Sequence, residues 1–353
     1  MRKPILILLA VVLAIASVPA YAQVKVGTIG LKFLDIGVGG RALGMGEAYA
    51  AVANDASSVF WNPAGLGNVE NGDLFAGYTS WPADINLYSV ALAKKLEMPL
   101  IGPSTMALSG TLLNTGLMNR TTEFDVEGDY NGTFPFEDYQ FGLSVGKYLT
   151  DRFSLGGTVK LVHEKIAEWD INSWAADIGT YYETGFKTIR IGLSIMNFGP
   201  DVTFKVDEDE DGQFDEDPLD GISQDDDNGD GVIDGLDLDG EDVPQKPVPL
   251  PLTFRAGVAM DVFQTEMSRA TLVAELAHPP DNEERYQFGG EYWFQEFLAV
   301  RAGYKLNMDE GGFTAGVGIA WPFSASGKFS VDYAFNDLGR LESVHRVSTS
   351  LRF

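Results

Sequence analysis

From residue 72 to the C-terminus the chain alternates, one residue apolar and the next small or polar, in stretches of about ten. Phe313, Ala315, Val317, Ile319 and Trp321 alternate with Thr314, Gly316, Gly318 and Ala320; Tyr139, Phe141, Leu143 and Val145 alternate with Gln140, Gly142, Ser144 and Gly146. Period two marks strands with two unlike faces. Fourteen such segments can be counted: 72–80, 84–94, 104–113, 138–148, 152–164, 169–183, 187–198, 252–263, 268–278, 284–294, 297–307, 311–321, 327–336 and 343–353. None of the sixteen Pro residues falls inside them, as expected of residues that have no N–H for a ladder.

A soluble sandwich also alternates, so length and composition must discriminate. These segments suit a tilted strand that crosses a bilayer, which needs ~9–11 residues, whereas soluble strands average ~5–6. The polar face carries Arg152, Lys160, Arg190, Arg255, Asp261, Glu291, Arg301, Lys305, Asp332 and Arg346 among Gly and Ser. Aromatics stand at segment ends, at Tyr148, Tyr182, Trp293 and Trp321, where interfacial girdles belong. Connections after even-numbered segments are mostly short, and the long ones, 114–137 and 199–251, follow odd-numbered segments. The fold class expected is all-β, a fourteen-stranded antiparallel transmembrane β-barrel in a bacterial outer membrane. Both termini are expected in the periplasm and the longest insert outside the cell.

The ends of the chain agree. Arg2 and Lys3 precede an apolar run from Ile5 to Val18, and Ala20-Tyr21-Ala22 supplies a small-x-small cleavage site. That pattern is a secretory signal peptide over 1–22, and the run is too short for a spanning helix, which needs ~20 residues. The last segment ends on Phe353, which resembles the signal read by the outer-membrane barrel assembly machinery. The barrel is therefore assigned to 71–353 and the segment 23–70 stands apart as a hatch or plug.

Residues 33–67 do not alternate. They are rich in Gly and Ala, with a short helix expected over Ala42 to Ala53 and a turn at Asn62-Pro63-Ala64-Gly65, where Pro presets φ and Gly permits positive φ. Gly40-Arg41-Ala42, Gly44-Met45-Gly46, Asn54-Asp55-Ala56 and Asn62-Pro63-Ala64-Gly65-Leu66 resemble the PorV/PorQ family of outer-membrane proteins, within the broader FadL-like group. The resemblance implies a fourteen-stranded barrel with the N-terminal segment folded into its lumen. It also implies a role in type IX secretion, with secreted cargo or secretion components as partners. FadL-like barrels imply an alternative, transport of hydrophobic small molecules past the hatch and through a lateral opening between strands. The glycines do not form a dinucleotide fingerprint, which needs a preceding strand and a βαβ context.

Charge is concentrated in one place. Residues 205–242 hold 18 acidic residues and one Lys, leaving only −9 of the net −26 for the rest of the chain. Within this insert Asp207, Asp209, Asp211, Gln213 and Asp215 form one loop. Asp226, Asn228, Asp230, Val232, Asp234 and Asp237 form a second. Oxygen donors at positions 1, 3, 5 and 9, Gly at 6 and a backbone carbonyl at 7 match a Ca²⁺ loop. Structural Ca²⁺ is the cofactor expected, bound in an extracellular loop that the ion would let compact.

Other chemistry is excluded or unsupported. There is no Cys, so disulfides and thiolate metal sites are impossible. The acidic balance argues against nucleic acid as a partner. The three His, at 163, 278 and 345, sit in no catalytic or zinc spacing and no G-x-S-x-G elbow occurs. A binding or transport protein in contact with outer-membrane lipid is expected, and no enzyme.

Overall fold

The computed structural model describes residues 27, 29–99, 101–121, 126, 132–167, 169–203, 205–206, 247–308, 310–324 and 327–353. The signal peptide and the Ca²⁺-loop residues Asp207 to Asp237 lie outside the described residues. Fourteen long strands follow one another: β1 (Gly72–Ser80), β2 (Asn86–Met98), β3 (Gly102–Asn119), β4 (Thr133–Thr150), β5 (Phe153–Ile166), β6 (Trp169–Glu183), β7 (Arg190–Phe198), β8 (Thr253–Gln264), β9 (Ser268–His278), β10 (Arg285–Phe294), β11 (Leu298–Leu306), β12 (Phe313–Pro322), β13 (Lys328–Asp337) and β14 (Ser343–Arg352). Each pairs antiparallel with its neighbours in sequence. β7 joins β8 across the long insertion, with Gly192 opposite Gly257, and β14 closes on β1, with Gly77 opposite Ser348. The result is a closed fourteen-stranded barrel with no free edge, the all-strand arrangement that satisfies every ladder in lipid.

One end of the barrel carries the short connections, such as 151–152, 265–267 and 295–297; the other carries 120–132, 199–252 and 279–284. They are called here the turn end and the loop end. The C-terminus is at the turn end, where Phe353 and Gly72 exchange backbone hydrogen bonds of 3.0 Å. The first described residues stand at the opposite end: Gly30 N donates to Pro249 O at 3.0 Å. The expectation of both termini on one side therefore does not extend to the described start of the chain. A hatch that enters its lumen from the loop end accounts for the difference.

The outer face is apolar. Leu108, Phe141, Leu143, Val159, Leu161, Val300 and Val317 are exposed along its middle. Tyr78, Tyr88, Tyr304 and Phe313 flank this band towards the loop end, and Tyr182, Phe294, Trp321, Phe329 and Phe353 flank it towards the turn end. An aliphatic band between aromatic girdles is what lipid contact demands. Two aromatics expected in the girdle are instead lumenal. Tyr148 shares the inward parity of Ser144 and Gly146 and donates to Asn68 Oδ1 at 2.8 Å, while Trp293 shares the face of Glu291 and is only 6% exposed. Position along a strand sets the depth of a side chain, but parity sets its face.

β3 and β4 run past their expected bounds as an extended hairpin, so Pro103 and Pro135 fall inside strands, and Pro322 ends β12. All three sit near strand ends, where a missing ladder donor is tolerated. The expected helix over Ala42 to Ala53 shrinks to α1 (Gly40–Gly44), which stops at positive φ in Gly46 (66°) and Glu47 (62°).

Candidate functional site

The hatch, residues 29–69, winds through the lumen and is buried along most of its length. Its backbone lies directly on a path of wall glycines. A Cβ added at Gly303 would overlap Gly46, one at Gly289 would overlap Met45, one at Gly192 would overlap Ala50, and one at Gly156 would overlap Pro63. Hatch and wall approach so closely that no side chain fits between them, which locates much of the chain's Gly.

The docked backbone is held by hydrogen bonds from inward side chains. Ser348 Oγ accepts from Gly40 N and Thr314 Oγ1 from Gly46 N, both at 3.0 Å; Glu275 Oε2 accepts from Ala50 N at 2.8 Å. Ser154 Oγ donates to Ala64 O and Ser194 Oγ to Trp61 O, both at 2.8 Å. Without these partners the buried amides and carbonyls of an irregular segment would be unsatisfied.

Most residues of the PorV/PorQ-like block have a place in this docking. Arg41 forks onto Glu291 at 2.9 and 3.0 Å and donates to Asn54 Oδ1 at 2.8 Å. Asp55 caps the short 3₁₀ helix Ala56–Phe60 by accepting from Ser57 N at 3.0 Å. Asn62 caps the 3₁₀ helix Pro63–Asn68 by accepting from Ala64 N at 3.1 Å, with Pro63 in the first turn. Its amide donates to Ala50 O at 2.9 Å and Thr180 O at 3.0 Å, joining hatch to β6. A Cβ at Gly44 would crowd Arg301 and Gly316, and one at Gly65 would strike Ala53 O.

Several buried charges in the lumen are matched. Arg301 donates to Glu291 at 2.7 Å and to Asp332 at 2.6 Å, Arg255 to Glu275 at 3.1 Å, and Lys160 lies 2.8 Å from Asp177. Glu47 of the hatch receives Arg346 at 2.7 Å and Lys305 at 3.1 Å. Burial alone would push the Glu47 carboxyl up, but Lys305 and Arg346 more than offset it and hold it well below the usual carboxylate range. Burial pushes the Tyr49 hydroxyl above its ordinary value. Three of these residues, Glu47, Tyr49 and Trp61, carried no signal in the sequence. Trp61 is fully buried, donates to Val38 O at 3.0 Å and lies under the Arg255 guanidinium at 4.9 Å.

The three His take no part. His163 accompanies Asn172 at 2.9 Å, His345 accompanies Tyr333 at 2.8 Å, and His278 lies 3.4 Å from Glu284. Among the described residues no group of three or more His, Cys, Asp or Glu is placed to hold a metal.

A recess opens on the loop-end side of the hatch. The hatch lines it with Phe33, Leu34, Ile36, Val38, Val59 and Phe60; the wall faces these with Thr111, Gln140, Lys160 and Arg255. Its void is about 30 Å³, room for two or three waters at ~10–15 Å³ each. A larger guest therefore requires the Phe33–Val38 segment to move. That segment is pinned at the rim by Lys32 to Asp281 at 3.1 Å and Asp35 to Arg285 at 3.5 Å.

The wall beside the recess is irregular. Asp177 on β6 faces two residues of β7, Met196 and Asn197, because the register shifts between Ala176 opposite Phe198 and Ile178 opposite Ile195. Asn197 has φ 63° and donates its N–H to Asp177 Oδ1 at 2.7 Å. This β-bulge interrupts the ladder where Met196 and Asn197 line the recess.

No protein-family model and no curated protein matches the chain. Solved structures match by fold. The chain is similar to a Pseudomonas aeruginosa FadL homologue, at 12% identity, a TM-score of 0.55 and coverage of 90% of this chain and 98% of that one. It is similar to the Ralstonia pickettii toluene transporter TbuX, at 10% identity, a TM-score of 0.52 and coverage of 90% and 97%. It is also similar to the Pseudomonas putida toluene transporter TodX, at 10% identity, a TM-score of 0.52 and coverage of 95% and 99%. The fold is that of the FadL-like outer-membrane barrels.

Proposed function

We propose that the protein is an outer-membrane channel for small hydrophobic molecules, with the hatch as its gate and the loop end facing outwards. The observation that carries this reading is the recess. Six apolar hatch residues, Phe33 and Phe60 among them, face the polar lumen wall at the loop end. Apolar surface placed where a guest can replace it with its own is the usual make-up of a small-molecule site. The β6–β7 bulge at the same depth supports a sideways route between recess and lipid. TbuX and TodX, which share the fold, are toluene transporters.

The secretion reading has no comparable observation behind it. The residues that carry the PorV/PorQ resemblance are turned to the wall and to one another, so they serve any barrel with a docked hatch. The Ca²⁺ proposal for residues 207–237 stands on carboxylate spacing alone and is independent of transport.

Uptake of radiolabelled toluene and of a long-chain fatty acid tests the proposal in a bacterial host without such channels of its own. Expression should raise uptake of at least one. Phe33→Asp and Phe60→Asp should reduce it with the barrel still heat-modifiable on gels. No uptake of either compound, or uptake indifferent to both substitutions, would sink the reading.

A further inference from the structure

The two sides of the recess offer a guest different things. The hatch side is apolar and the wall side polar, with Lys160 of β5 and Arg255 of β8 as the cations of that wall. A carboxylate that leaves water for such a place loses its hydration and must recover it from a charged partner. Those two cations are the partners within the recess.

Neither cation is free. Lys160 Nζ lies 2.8 Å from Asp177 Oδ1 and also donates to Asn197 Oδ1. Arg255 Nη1 donates to Glu275 Oε1 at 3.1 Å. The two carboxylates are fully buried and fixed in turn by backbone: Asp177 Oδ1 accepts from Asn197 N at 2.7 Å, and Glu275 Oε2 from Ala50 N at 2.8 Å. The surroundings supply further negative groups. Asp35 lines the recess on the hatch side, held by Lys32 and Arg285. One inward step from Gln140 towards the loop end, Asp138 stands opposite Glu164 in register, adding two carboxyl groups to the wall. A guest carboxylate therefore finds cancelled charge in the recess and acidic groups around it.

Neutral hydrogen bonding remains. Thr111 Oγ1 accepts from Gln140 Nε2 at 3.0 Å, and a hydroxyl that accepts still has its own hydrogen to donate. That donor suits a carbonyl or hydroxyl oxygen. We propose that the recess takes an uncharged amphiphile, an apolar body against the hatch with a carbonyl or hydroxyl head towards the wall. Asp177 and Glu275 set this specificity by cancelling Lys160 and Arg255, so that carboxylates are refused. The inference rests on the transport reading of the recess and adds which molecules it admits.

Equilibrium dialysis tests it, with the purified full-length barrel in lipid nanodiscs, empty nanodiscs as the blank, and radiolabelled benzamide and benzoate as probes. At about pH 7 a carboxyl group of pKa ~4 is ionised, so the two probes share a ring and a number of non-hydrogen atoms and differ in charge. Benzamide should bind at least about tenfold more tightly than benzoate. Asp177→Asn and Glu275→Gln each keep an oxygen for the backbone amide and each leave one cation unpaired. Benzoate should gain about tenfold in either, with benzamide changed less. Heat-modifiable gel mobility reports folding, and the comparison in the parent barrel stands without the variants. Benzoate bound as tightly as benzamide by the parent overturns the proposal, as does benzoate affinity unchanged in a folded variant. No benzamide binding at about 10 mM, in a barrel that does raise toluene uptake, overturns it and leaves the transport reading standing. Absence of both binding and uptake ends the transport reading and this inference with it.

Discussion

The guanidinium of Arg41 and the carboxylate of Glu291, 250 residues apart, meet in a two-bond fork of 2.9 and 3.0 Å inside the lumen. The fork ties the hatch to β10, and its strength rests on geometry as well as charge. Arg41→Ala should loosen the hatch, although Glu291 keeps Arg301 as partner. The cost is about 3 kcal/mol, the low end for breaking a buried pair. In planar bilayers the variant should show frequent conducting bursts where the parent barrel stays closed. Arg41→Lys should restore closure only in part, because an ammonium is a point charge and does not fork. Silent Arg41→Ala channels would mean that the wall hydrogen bonds alone hold the hatch.

Glu47 predicts how closure depends on pH. Its folded pKa lies below the ordinary carboxylate value. Its contribution to docking is therefore present above that ordinary value and is lost as pH falls through the folded one. The hatch should stay shut from neutral pH down through the ordinary carboxylate range and leak only in stronger acid. Glu47→Gln should leak more at neutral pH, because Lys305 and Arg346 lose their shared counter-ion, and its leak should vary less with acidification. Conductance recorded as a function of pH for both proteins checks the sign.

The acidic insert predicts Ca²⁺ binding outside the barrel. The second loop carries donors at Asp226, Asn228, Asp230 and Asp234, with Asp237 at position 12, whereas the first has Pro218 there. The second loop should hold the ion more tightly, with dissociation constants on the order of 10⁻⁴–10⁻³ M as in other extracellular modules. Radiolabelled Ca²⁺ retained by the chelator-stripped barrel should fall when Asp226 and Asp230 are changed to Asn and disappear when 205–242 are deleted. Retention that survives the deletion would place the ion elsewhere.

Alternation makes the strands legible in the sequence. β6 and β9 have the bounds their segments predicted, and the inward charges Lys160, Arg255 and Arg301 face the lumen as expected. Trp293 shows where that reading ends. A segment-end aromatic marks depth, but its face follows from register with β9 and β11, which one segment does not contain. The hatch was legible as a block and not as a site. Asn62 looks like a turn residue locally, and its amide partner Thr180 lies 118 residues away. Phe33 and Phe60 were visible as apolar residues in a small-residue run, and only their spacing across a folded hatch shows that they share one recess.

The bulge between β6 and β7 yields a direct test of the route. Ala176 and Phe198 are register partners on the lipid-facing side, immediately beyond the interruption at Asp177. Directly opposed residues in an antiparallel pair lie ~4.5–5.5 Å apart at Cα, within the span a disulfide bridges. The chain has no Cys of its own, so the Ala176→Cys, Phe198→Cys pair is the sole bridge that can form. Oxidation should close the ladder across the bulge and hold Asn197 and Met196 against the wall. If hydrophobic guests leave the recess sideways, uptake should fall about tenfold on oxidation and return on reduction, with each single substitution behaving as the parent. A shift of that size is a barrier change of about 1.4 kcal/mol, small beside the cost of unpairing a barrel strand. Uptake equal in the oxidised and reduced states would direct the guest past the hatch and along the barrel axis.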